Sequence, residues 1–244
     1  MPISIHYPLL VVILFVAIFL RYLLINAVFY QIFYIKLWNK FAVAQVIKSE
    51  WKTGQLRSET LYSLVTSLIF AAVGALMVWL WEVGMIQVYT EIGAYGYWYL
   101  PTSFAAVLII QDAYYYWLHR WMHTQRRVYS LLHKVHHDSV VPSPWTSFSF
   151  HPTESVVQAI ILPVILLFLP VHYIVLLLLL LTMTISATIN HLNVDLMPKV
   201  LRQSIFAKYL IGATHHAHHH TKAQKNFGLY FTYWDRWLGT EYEN

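Results

Sequence analysis

Long tracts without Asp, Glu, Lys or Arg constrain the fold of this chain more than any other feature of its sequence. Residues 61–81 and 92–111 are uncharged, and each matches the roughly 20 residues with which a helix crosses a bilayer. Residues 155–190 are uncharged over a length that suits two helices, with Pro170 near the middle as the turn. Each of these tracts therefore predicts membrane-spanning structure.

The N-terminal tract, residues 7–35, is interrupted only by Arg21, whose long side chain can reach a polar partner or the membrane interface. It lacks the basic segment and the small-residue cleavage site of a secretory signal peptide, so we expect a membrane helix. Charged residues make up only 11% of the chain, against about 25% in soluble domains. The sequence thus predicts an all-α integral membrane protein with about four transmembrane helices, including the helical hairpin.

Charge predicts the orientation of these helices. One loop is basic, and the next contains Glu82 and Glu91 and no base. The basic residues of the first loop are Lys36, Lys40, Lys48, Lys52 and Arg57. By the positive-inside rule the basic loop is cytoplasmic, and the net charge of +5 reflects topology and anionic lipid rather than nucleic acid. Each predicted crossing moves the chain to the other side of the membrane. Every histidine except His6 and His172 is then predicted on the cytoplasmic side, in a helical cap.

Histidines recur at helical spacing on this side. "HRWMH" places His119 and His123 one turn apart, and "HKVHH" and "HAHHH" both contain the spacing HxxHH. Helical bundles build metal sites from such pairs. The candidate ligands from these motifs, with one more histidine between them, are His119, His123, His133, His136, His137, His191, His216, His219 and His220. The chain has no cysteine, which excludes thiolate zinc sites, iron–sulfur clusters and disulfides.

The number of histidines exceeds the needs of one zinc ion, which takes four protein ligands in structural sites and about three in catalytic sites. It suits two ions of the iron, zinc or copper type. Nitrogen ligation that leaves coordination positions of the ion open favours Fe(II) that reacts with dioxygen. Zinc binds imidazole more tightly than Fe(II) does, so zinc can replace iron in the isolated protein.

Three stretches, "DAYYYWLHRWMH", "HKVHHDSVVPSPWTSFSFHPTE" and "THHAHHHTKAQKNFGLYFTYWDRWLGT", together resemble the fatty acid hydroxylase/sterol desaturase superfamily of membrane di-iron oxygenases. The resemblance covers about residues 112–240, and the first hundred residues share only hydropathy with it. It implies an oxidoreductase that holds two iron ions and uses O2 to hydroxylate or desaturate a sterol, fatty-acyl or related lipid. It also implies a separate electron donor, a ferredoxin or a cytochrome with its reductase. "HLNVDLMP" and the C-terminal segment "NFGLYFTYWDRWLGT" are more similar to sterol C5-desaturase-like members than to other members of the family.

The resemblance assigns the nine candidate histidines as metal ligands and leaves His215 as a possible tenth. Some members carry two histidines before the last motif, whereas this chain has only His191 beside Asn190, so water, Asn190 or His215 is left to fill one position. Ligand histidines usually donate their second ring nitrogen to an acceptor. As outer hydrogen-bond partners of the ligands we expect Asp112, His151, Glu154 and Asp235.

Two of these expectations, those for His151 and Asp235, have alternatives. Asp112 lies two helical turns before His119 and is the strongest candidate for a ligand partner. His151 could instead bind metal or begin a helix with Glu154, and Asp235 could form an ion pair with Arg236. His218 is expected to be solvated.

One domain over residues 1–244 is expected, with the motifs within about residues 105–240, since no repeat or linker divides the chain. The alternative function is a membrane metal-binding or metal-transport protein without redox chemistry. A transporter would place ionisable ligands at mid-membrane depth near a broken helix, whereas the histidines here are predicted at one face.

Overall fold

The structure is a computed structural model that describes residues 6–197, 200 and 204–242, and it is mainly helical. In chain order the helices are α1 (Tyr7–Tyr30), α2 (Trp38–Phe41), α3 (Gln55–Glu82), α4 (Tyr99–Thr124), α5 (Arg126–Val128), α6 (Lys134–His137), α7 (Pro152–Phe168), α8 (Tyr173–Asn190), α9 (Ile205–Tyr209), α10 (Ala213–Lys222) and α11 (Tyr233–Trp237). Two π-helical turns, Gln31–Lys36 and Tyr129–His133, and two 3-10 turns, Ala42–Ala44 and Pro144–Phe148, extend or connect them. The strands are β1 (Val88–Tyr89) and β2 (Val171–His172).

Within the described residues, three helices are long and apolar enough to cross a membrane: Tyr7–Lys36, α3 and α8. Helix α7 is apolar but has only 17 residues. The predicted hairpin is present, with Pro170 between α7 and α8. Large apolar side chains on these helices remain exposed, as lipid contact requires; they include Leu9, Val12, Leu24, Leu61, Leu68 and Leu177. The chain is therefore an integral membrane protein, while the number of crossings and their orientation stay predictions.

The third predicted tract, residues 92–111, does not coincide with a helix. Residues 92–98 form turns, and α4 begins only at Tyr99 and continues to Thr124. Although α4 has 26 residues, it is not among the three apolar spans, because its second half is rich in tyrosine, tryptophan and histidine. The boundary was misplaced because absence of charge was the only criterion, whereas the positive φ of Gly96 turns the chain just before the helix.

One end of the helical bundle is closed by the two short strands, a small departure from the predicted all-α fold. β1 follows α3 and pairs in parallel with β2, which joins α7 to α8. His172 bonds through Nε2 to the carbonyl of Thr90 at 2.8 Å, and the Tyr7 hydroxyl donates to the Glu82 carboxylate. His6 precedes α1 at this same end. His6 and His172 thus lie together with the acidic loop.

Apolar packing between α4, α7 and α8 forms the main core near that end. It is built from side chains that are almost fully buried, namely Ile86, Val107, Ile161, Leu162, Ile165, Leu166, Val171, Val175 and Leu179. Towards the opposite end, the helix interfaces become polar, and this is where the histidine motifs lie.

A buried carboxylate on α3 fixes the loop between α6 and α7. Glu59 is 2% exposed, and its oxygens accept hydrogen bonds from Ser139 Oγ at 2.8 Å, Ser143 Oγ at 3.0 Å and Thr146 Oγ1 at 2.7 Å. Gln55 Nε2 donates a fourth bond at 2.8 Å. A buried carboxylate is tolerated only when such donors replace water, so Glu59 and this loop stabilise each other.

Helix α1 is attached to the same loop by polar side chains. The Tyr22 hydroxyl donates to the carbonyl of Trp145 at 2.8 Å. Asn26 Nδ2 donates to Ser147 Oγ at 3.2 Å, while its Oδ1 accepts from Thr188 Oγ1 of α8 at 2.8 Å. In a membrane, apolar side chains contact lipid about as favourably as they contact another helix. Hydrogen bonds of this kind therefore help to hold membrane helices together. They join α1, α8 and the 3-10 turn Pro144–Phe148.

We expect Glu59→Ala to destabilise the protein by about 3 kcal/mol, since it leaves several buried donors without an acceptor. The measurement is the melting temperature of the detergent-solubilised protein, which should fall. Glu50→Ala is the matched control, because Glu50 is exposed in the preceding loop, and it should melt like the wild type. Equal melting temperatures for the two variants would contradict the assigned role of Glu59.

Candidate metal centre

Nine buried histidines form two adjacent groups. In each group the ring nitrogens that could bind metal lie within 4.8 Å of one another. The first group contains His119, His123, His133, His137 and His219. The second group contains His136, His191, His216 and His220. These are the nine histidines that the motifs and the resemblance named.

The HxxHH spacing distributes its histidines between the two groups. In the motif ending α6, His133 and His137 are one turn apart and share the first group, while His136 faces the second. In α10 the assignment is reversed. His216 and His220 share the second group, and His219 faces the first. Each motif thus contributes an i, i+4 pair to one group and a single ring to the other, which holds the two groups side by side.

The Nδ1 atoms of five of these rings bond to fixed acceptors on the surrounding protein. Four acceptors are backbone carbonyls: those of Phe227 for His119 (2.9 Å), Ser149 for His136 (3.3 Å), Ala187 for His191 (2.7 Å) and Lys225 for His219 (2.7 Å). A carbonyl can only accept, so each Nδ1 carries the hydrogen and each Nε2 presents a lone pair to the interior of the site.

The fifth acceptor is Glu154, a carboxylate near the start of α7. Its Oε1 lies 2.7 Å from His133 Nδ1, and both side chains are fully buried. Gln158 Nε2 donates to the same oxygen at 2.8 Å. A carboxylate in this position orients the imidazole and increases its basicity as a ligand. Among the predicted outer partners, Glu154 is the one that contacts a ring of either group.

Pairs of Nε2 atoms face each other at very short distances. The distance is 3.0 Å between His119 and His133 and 3.1 Å between His136 and His191. In both pairs the two Nδ1 atoms hold the hydrogens, so two lone pairs face each other and repel. Nitrogens bound to one ion at about 2.1 Å and at roughly right angles lie about 3 Å apart. The donor set and its spacing therefore fit metal ions better than they fit an empty protein interior.

Burial keeps these imidazoles neutral. It lowers the pKa of His191 and of His219 to about 4. It lowers the pKa values of His133, His136 and His137 well below the usual range, and neighbouring histidines add to the effect on these three. A metal ligand must be deprotonated. At neutral pH these rings are already in the form that binds metal.

Asp112 acts on the backbone, which corrects the prediction that it bonds a ligand histidine. Its Oδ1 accepts from the amides of Tyr230 at 2.7 Å and Phe231 at 3.2 Å. No hydrogen bond joins it to a histidine ring within the described residues. Although Asp112 and His119 share one face of α4, the segment after α10 fills the space beside Asp112 and offers its amides instead.

Asp235 acts in the same indirect way. It accepts from the amides of Phe227 and Gly228, each at 2.9 Å. The carbonyl of Phe227 is the acceptor for His119, so Asp235 positions a candidate ligand through one intervening residue. The predicted alternative, an ion pair with Arg236, is wrong, since Arg236 bonds Glu241 at 2.7 Å instead.

His151 and His215 lie outside both groups, so the structure corrects their prediction as a ligand partner and a tenth ligand, and for His151 it shows the stated alternative, a residue that begins the helix of Glu154. His151 precedes α7, where its Nδ1 accepts from the amide of Thr153 at 3.4 Å; it caps the helix that carries Glu154. His215 Nε2 lies 3.6 Å from Asp235 Oδ2 and bonds to neither group. His218 packs against Tyr242 at 4.9 Å, away from the site.

Sequence reasoning missed the parts of the site that support the ligands. Four candidate ligand rings are held by backbone carbonyls, which no side-chain motif can reveal. Glu59 was also missed, although an acid two positions before an uncharged membrane tract is a recognisable signal of a buried functional or structural role.

The fold and the site together define a helical integral membrane protein with a buried, all-histidine centre suited to metal. The family model for fatty acid hydroxylase matches residues 104–240, which span every histidine of both groups. The chain belongs to the fatty acid hydroxylase family.

The chain also matches curated relatives, the lathosterol oxidases over a larger part of it. A lathosterol oxidase from Homo sapiens is 31% identical over 78% of this chain and 62% of its own length. A Delta(7)-sterol 5(6)-desaturase from Schizosaccharomyces pombe is 34% identical over 63% of this chain and 44% of its own. A methylsterol monooxygenase from Rattus norvegicus is 32% identical over 54% and 44%. The chain thus spans about three fifths of the length of the lathosterol oxidases. No solved structure matches it significantly.

We expect His219→Ala to lose at least half of the metal that the wild type binds, because this ring belongs to the first group and comes from the helix that also supplies the second. Elemental analysis of protein purified from metal-supplemented cells measures the ratio of metal to protein. His218→Ala, one position away on α10, and His6→Ala, at the opposite end of the bundle, should keep the full ratio. Unchanged metal content in His219→Ala would overturn the assignment.

We expect Glu154→Gln to weaken metal affinity by about 10–100-fold, the usual effect of removing a carboxylate that orients a ligand histidine. Affinity is measured by competition with a chelator. His151→Asn retains a capping group for α7 and should bind metal like the wild type. A loss of affinity in His151→Asn as large as that in Glu154→Gln would show that His151 does more than cap the helix.

Proposed function

We propose that this chain is a membrane-bound oxygenase that hydroxylates or desaturates a lipid, using O2 and two electrons from a separate donor. The observation that carries the proposal is the pair of buried histidine groups whose Nε2 lone pairs converge at about 3 Å. Family membership and the printed activities of the relatives support it.

The proposed cofactor is a pair of iron ions, one in each group. The first group offers five imidazoles and the second four, so each leaves at least one position of an octahedral ion open. Imidazole ligation with open positions suits Fe(II) that reacts with O2. Zinc fits the same nitrogens and can replace iron in the isolated protein. When bound, the iron would supply dioxygen activation.

Both reactions balance with the same reagents. Hydroxylation converts C–H, O2, two electrons and two protons into C–OH and H2O. Desaturation removes two hydrogens from adjacent carbons and, with O2, two electrons and two protons, yields C=C and two H2O. The electrons are proposed to come from a ferredoxin, or from a cytochrome with its reductase.

The residues of this chain have supporting roles in that chemistry. Glu154 and the backbone carbonyls keep the Nδ1 hydrogens in place and the Nε2 atoms free for metal. Burial keeps the rings neutral and excludes water, so that oxidising equivalents are directed to the substrate. The polar loop held by Glu59 and Asn26 contributes Ser149, whose carbonyl accepts from His136.

The proposed location of the site is the cytoplasmic end of the bundle. Lys52, in the basic loop, donates through Nζ to the carbonyl of Asp138 at 2.8 Å, next to the second histidine motif. Glu82 ends α3 at the opposite end of the bundle, and Glu91 lies in the loop that follows it. The basic loop and the histidines are therefore on one side, and the positive-inside rule makes that side cytoplasmic. The motifs and the N-terminal helices are proposed to form one domain.

The proposed substrate is a sterol, with fatty-acyl and related lipids as alternatives. Three relatives carry sterol-oxidising names. The rival function, metal transport or storage without redox chemistry, is less well supported. Three of the histidines lie at the ends of α4 and α8 and the other six lie on short helices, whereas a transporter needs ligands at mid-membrane depth.

The test is iron loading and exposure to O2. Protein expressed with iron and purified without oxygen should contain about two iron ions per chain. After reduction, admission of O2 should change its optical spectrum, while His219→Ala should respond weakly or not at all. Comparative lipidomics of cells with and without the chain should reveal a lipid that gains a hydroxyl or a double bond. An iron-loaded, reduced centre that stays inert to O2 would overturn the proposal.

A further inference from the structure

Four cationic side chains surround the segment that follows α11, and we call this region the basic surface. Its members are Lys208, Lys222, Lys225 and Arg236. Lys225 Nζ donates to the carbonyl of Gly239 at 2.9 Å, and the exposed Lys222 has its Nζ 5.6 Å from the centre of the Tyr242 ring. Two cations from the end of α10 and just beyond it thus meet the same short segment.

Arg236 and Lys208 complete the basic surface. The Arg236 guanidinium lies 5.6 Å from the centre of the Tyr209 ring, and the exposed Lys208 directly precedes that tyrosine. Thr232 joins the two, since its Oγ1 donates to the Lys208 carbonyl at 2.7 Å and accepts from Arg236 Nε at 3.1 Å. Arg236 also pairs with Glu241 at 2.7 Å, so only part of the positive charge is compensated.

An open pocket of about 600 Å³ lies within the basic surface. It is lined by Lys225, Asp235, Arg236, Gly239, Glu241 and Tyr242. The two acids among these residues already accept hydrogen bonds, Asp235 from buried backbone amides and Glu241 from Arg236. The exposed charge around the pocket is therefore mainly positive, which favours a partner with a negative surface.

Hydrogen bonds connect this pocket to the first histidine group. His219 Nδ1 bonds to the carbonyl of Lys225 at 2.7 Å, so a residue that lines the pocket contacts a candidate ligand directly. Asp235 accepts from the amide of Phe227 at 2.9 Å, and the carbonyl of Phe227 bonds to His119 at 2.9 Å. Electron transfer weakens steeply with distance and is fastest through bonded contacts. A redox group held at this pocket is thus well placed to exchange electrons with the centre.

We propose that the basic surface is the docking site of the electron donor, and that this donor is an acidic redox protein. The inference rests on the proposed function and narrows it to one class of partner and one face of the chain. In each encounter the donor is oxidised by one electron and the centre is reduced by one, so two encounters supply the two electrons. Opposite charges orient the encounter and speed it, and redox partners commonly bind through small, short-lived interfaces.

The loop of residues 36–57 is a second basic region at this end of the bundle. It connects α1 to α3, two of the apolar spans, so the positive-inside rule and contact with lipid headgroups account for its lysines. Its exposed Lys40 and Lys48 therefore provide a matched control for the basic surface.

The test measures docking without turnover. Metal-loaded protein in nanodiscs is titrated with an acidic [2Fe–2S] ferredoxin, with the acidic haem domain of a membrane cytochrome, and with a basic cytochrome of similar size. We expect at least one acidic protein to bind with an affinity that falls as salt is added, and the basic protein not to bind. A carbodiimide, which joins lysine amines to carboxylates, should couple the bound acidic protein to Lys208, Lys222 or Lys225.

Reversing the charge of the two exposed lysines, Lys208→Glu with Lys222→Glu, should weaken this binding by about tenfold at low ionic strength, because like charges then face each other. The control, Lys40→Glu with Lys48→Glu, makes the same change in net charge and should bind the donor like the wild type. Metal content should be unchanged in both double variants, which separates loss of docking from damage to the centre. The crosslinking result on the wild type stands even if a variant fails to fold.

Several outcomes would overturn the inference. One is that neither acidic protein binds, and another is equal weakening by the two double variants. Crosslinks that map to Lys40, Lys48 or Lys52 would place the donor on the other basic region. Protection of Lys208 and Lys222 from a water-soluble amine reagent by nanodiscs that contain phosphatidylserine, without donor, would show that the basic surface contacts lipid headgroups.

The inference and the proposed function fail separately. A docked acidic protein that cannot reduce an iron-loaded centre, when that centre does respond to a chemical reductant and O2, would contradict the docking site alone. A centre that responds to neither chemical reductant nor O2 would contradict the proposed function, whatever binds at the basic surface.

Discussion

The candidate centre depends on the different roles of the two nitrogens in a histidine ring. The Nδ1 atoms of five rings bond outward to four backbone carbonyls and to Glu154. These acceptors are held by the tertiary structure, so the Nε2 atoms are directed inward. Without this constraint, neutral imidazoles would rotate and pair with one another, and lone pairs would not face each other at about 3 Å. The site is preorganised for cations by hydrogen bonds to groups that never contact them.

The membrane helices supply the rigidity behind these acceptors. Glu59 of α3 and Asn26 of α1 hold the loop that follows α6, and that loop offers the Ser149 carbonyl to His136. Asp112 of α4 and Asp235 hold the segment after α10, which offers the Phe227 carbonyl to His119. Buried acids outside the two histidine groups thus position them through the backbone. The first hundred residues, which carry no histidine motif, are part of the same support.

Much of this arrangement could be predicted from the sequence. Uncharged length located α1, α3 and the α7–α8 hairpin, because a bilayer requires a helix of that length. Spacing selected eight of the nine histidines and set His218 aside, because i, i+3 and i+4 positions share a helical face, while the family resemblance added His191. Length and charge did not locate the start of α4, which depends on a turn at Gly96. The roles of Asp112, His151 and His215 also escaped prediction, since each depends on which distant backbone amide, helix end or acid lies beside it.

The sequence by itself determined that the chain lies in a membrane, that its candidate site offers nitrogen ligands, and to which family the chain belongs. Hydropathy requires a membrane, nine imidazoles without cysteine require nitrogen ligation, and the motifs place the chain among the fatty acid hydroxylases. Only the tertiary structure decided that the histidines divide into groups of five and four and that Glu154 rather than Asp112 contacts a ring. Helical spacing fixes which residues share a face, whereas a partner across the bundle is fixed only when the helices pack.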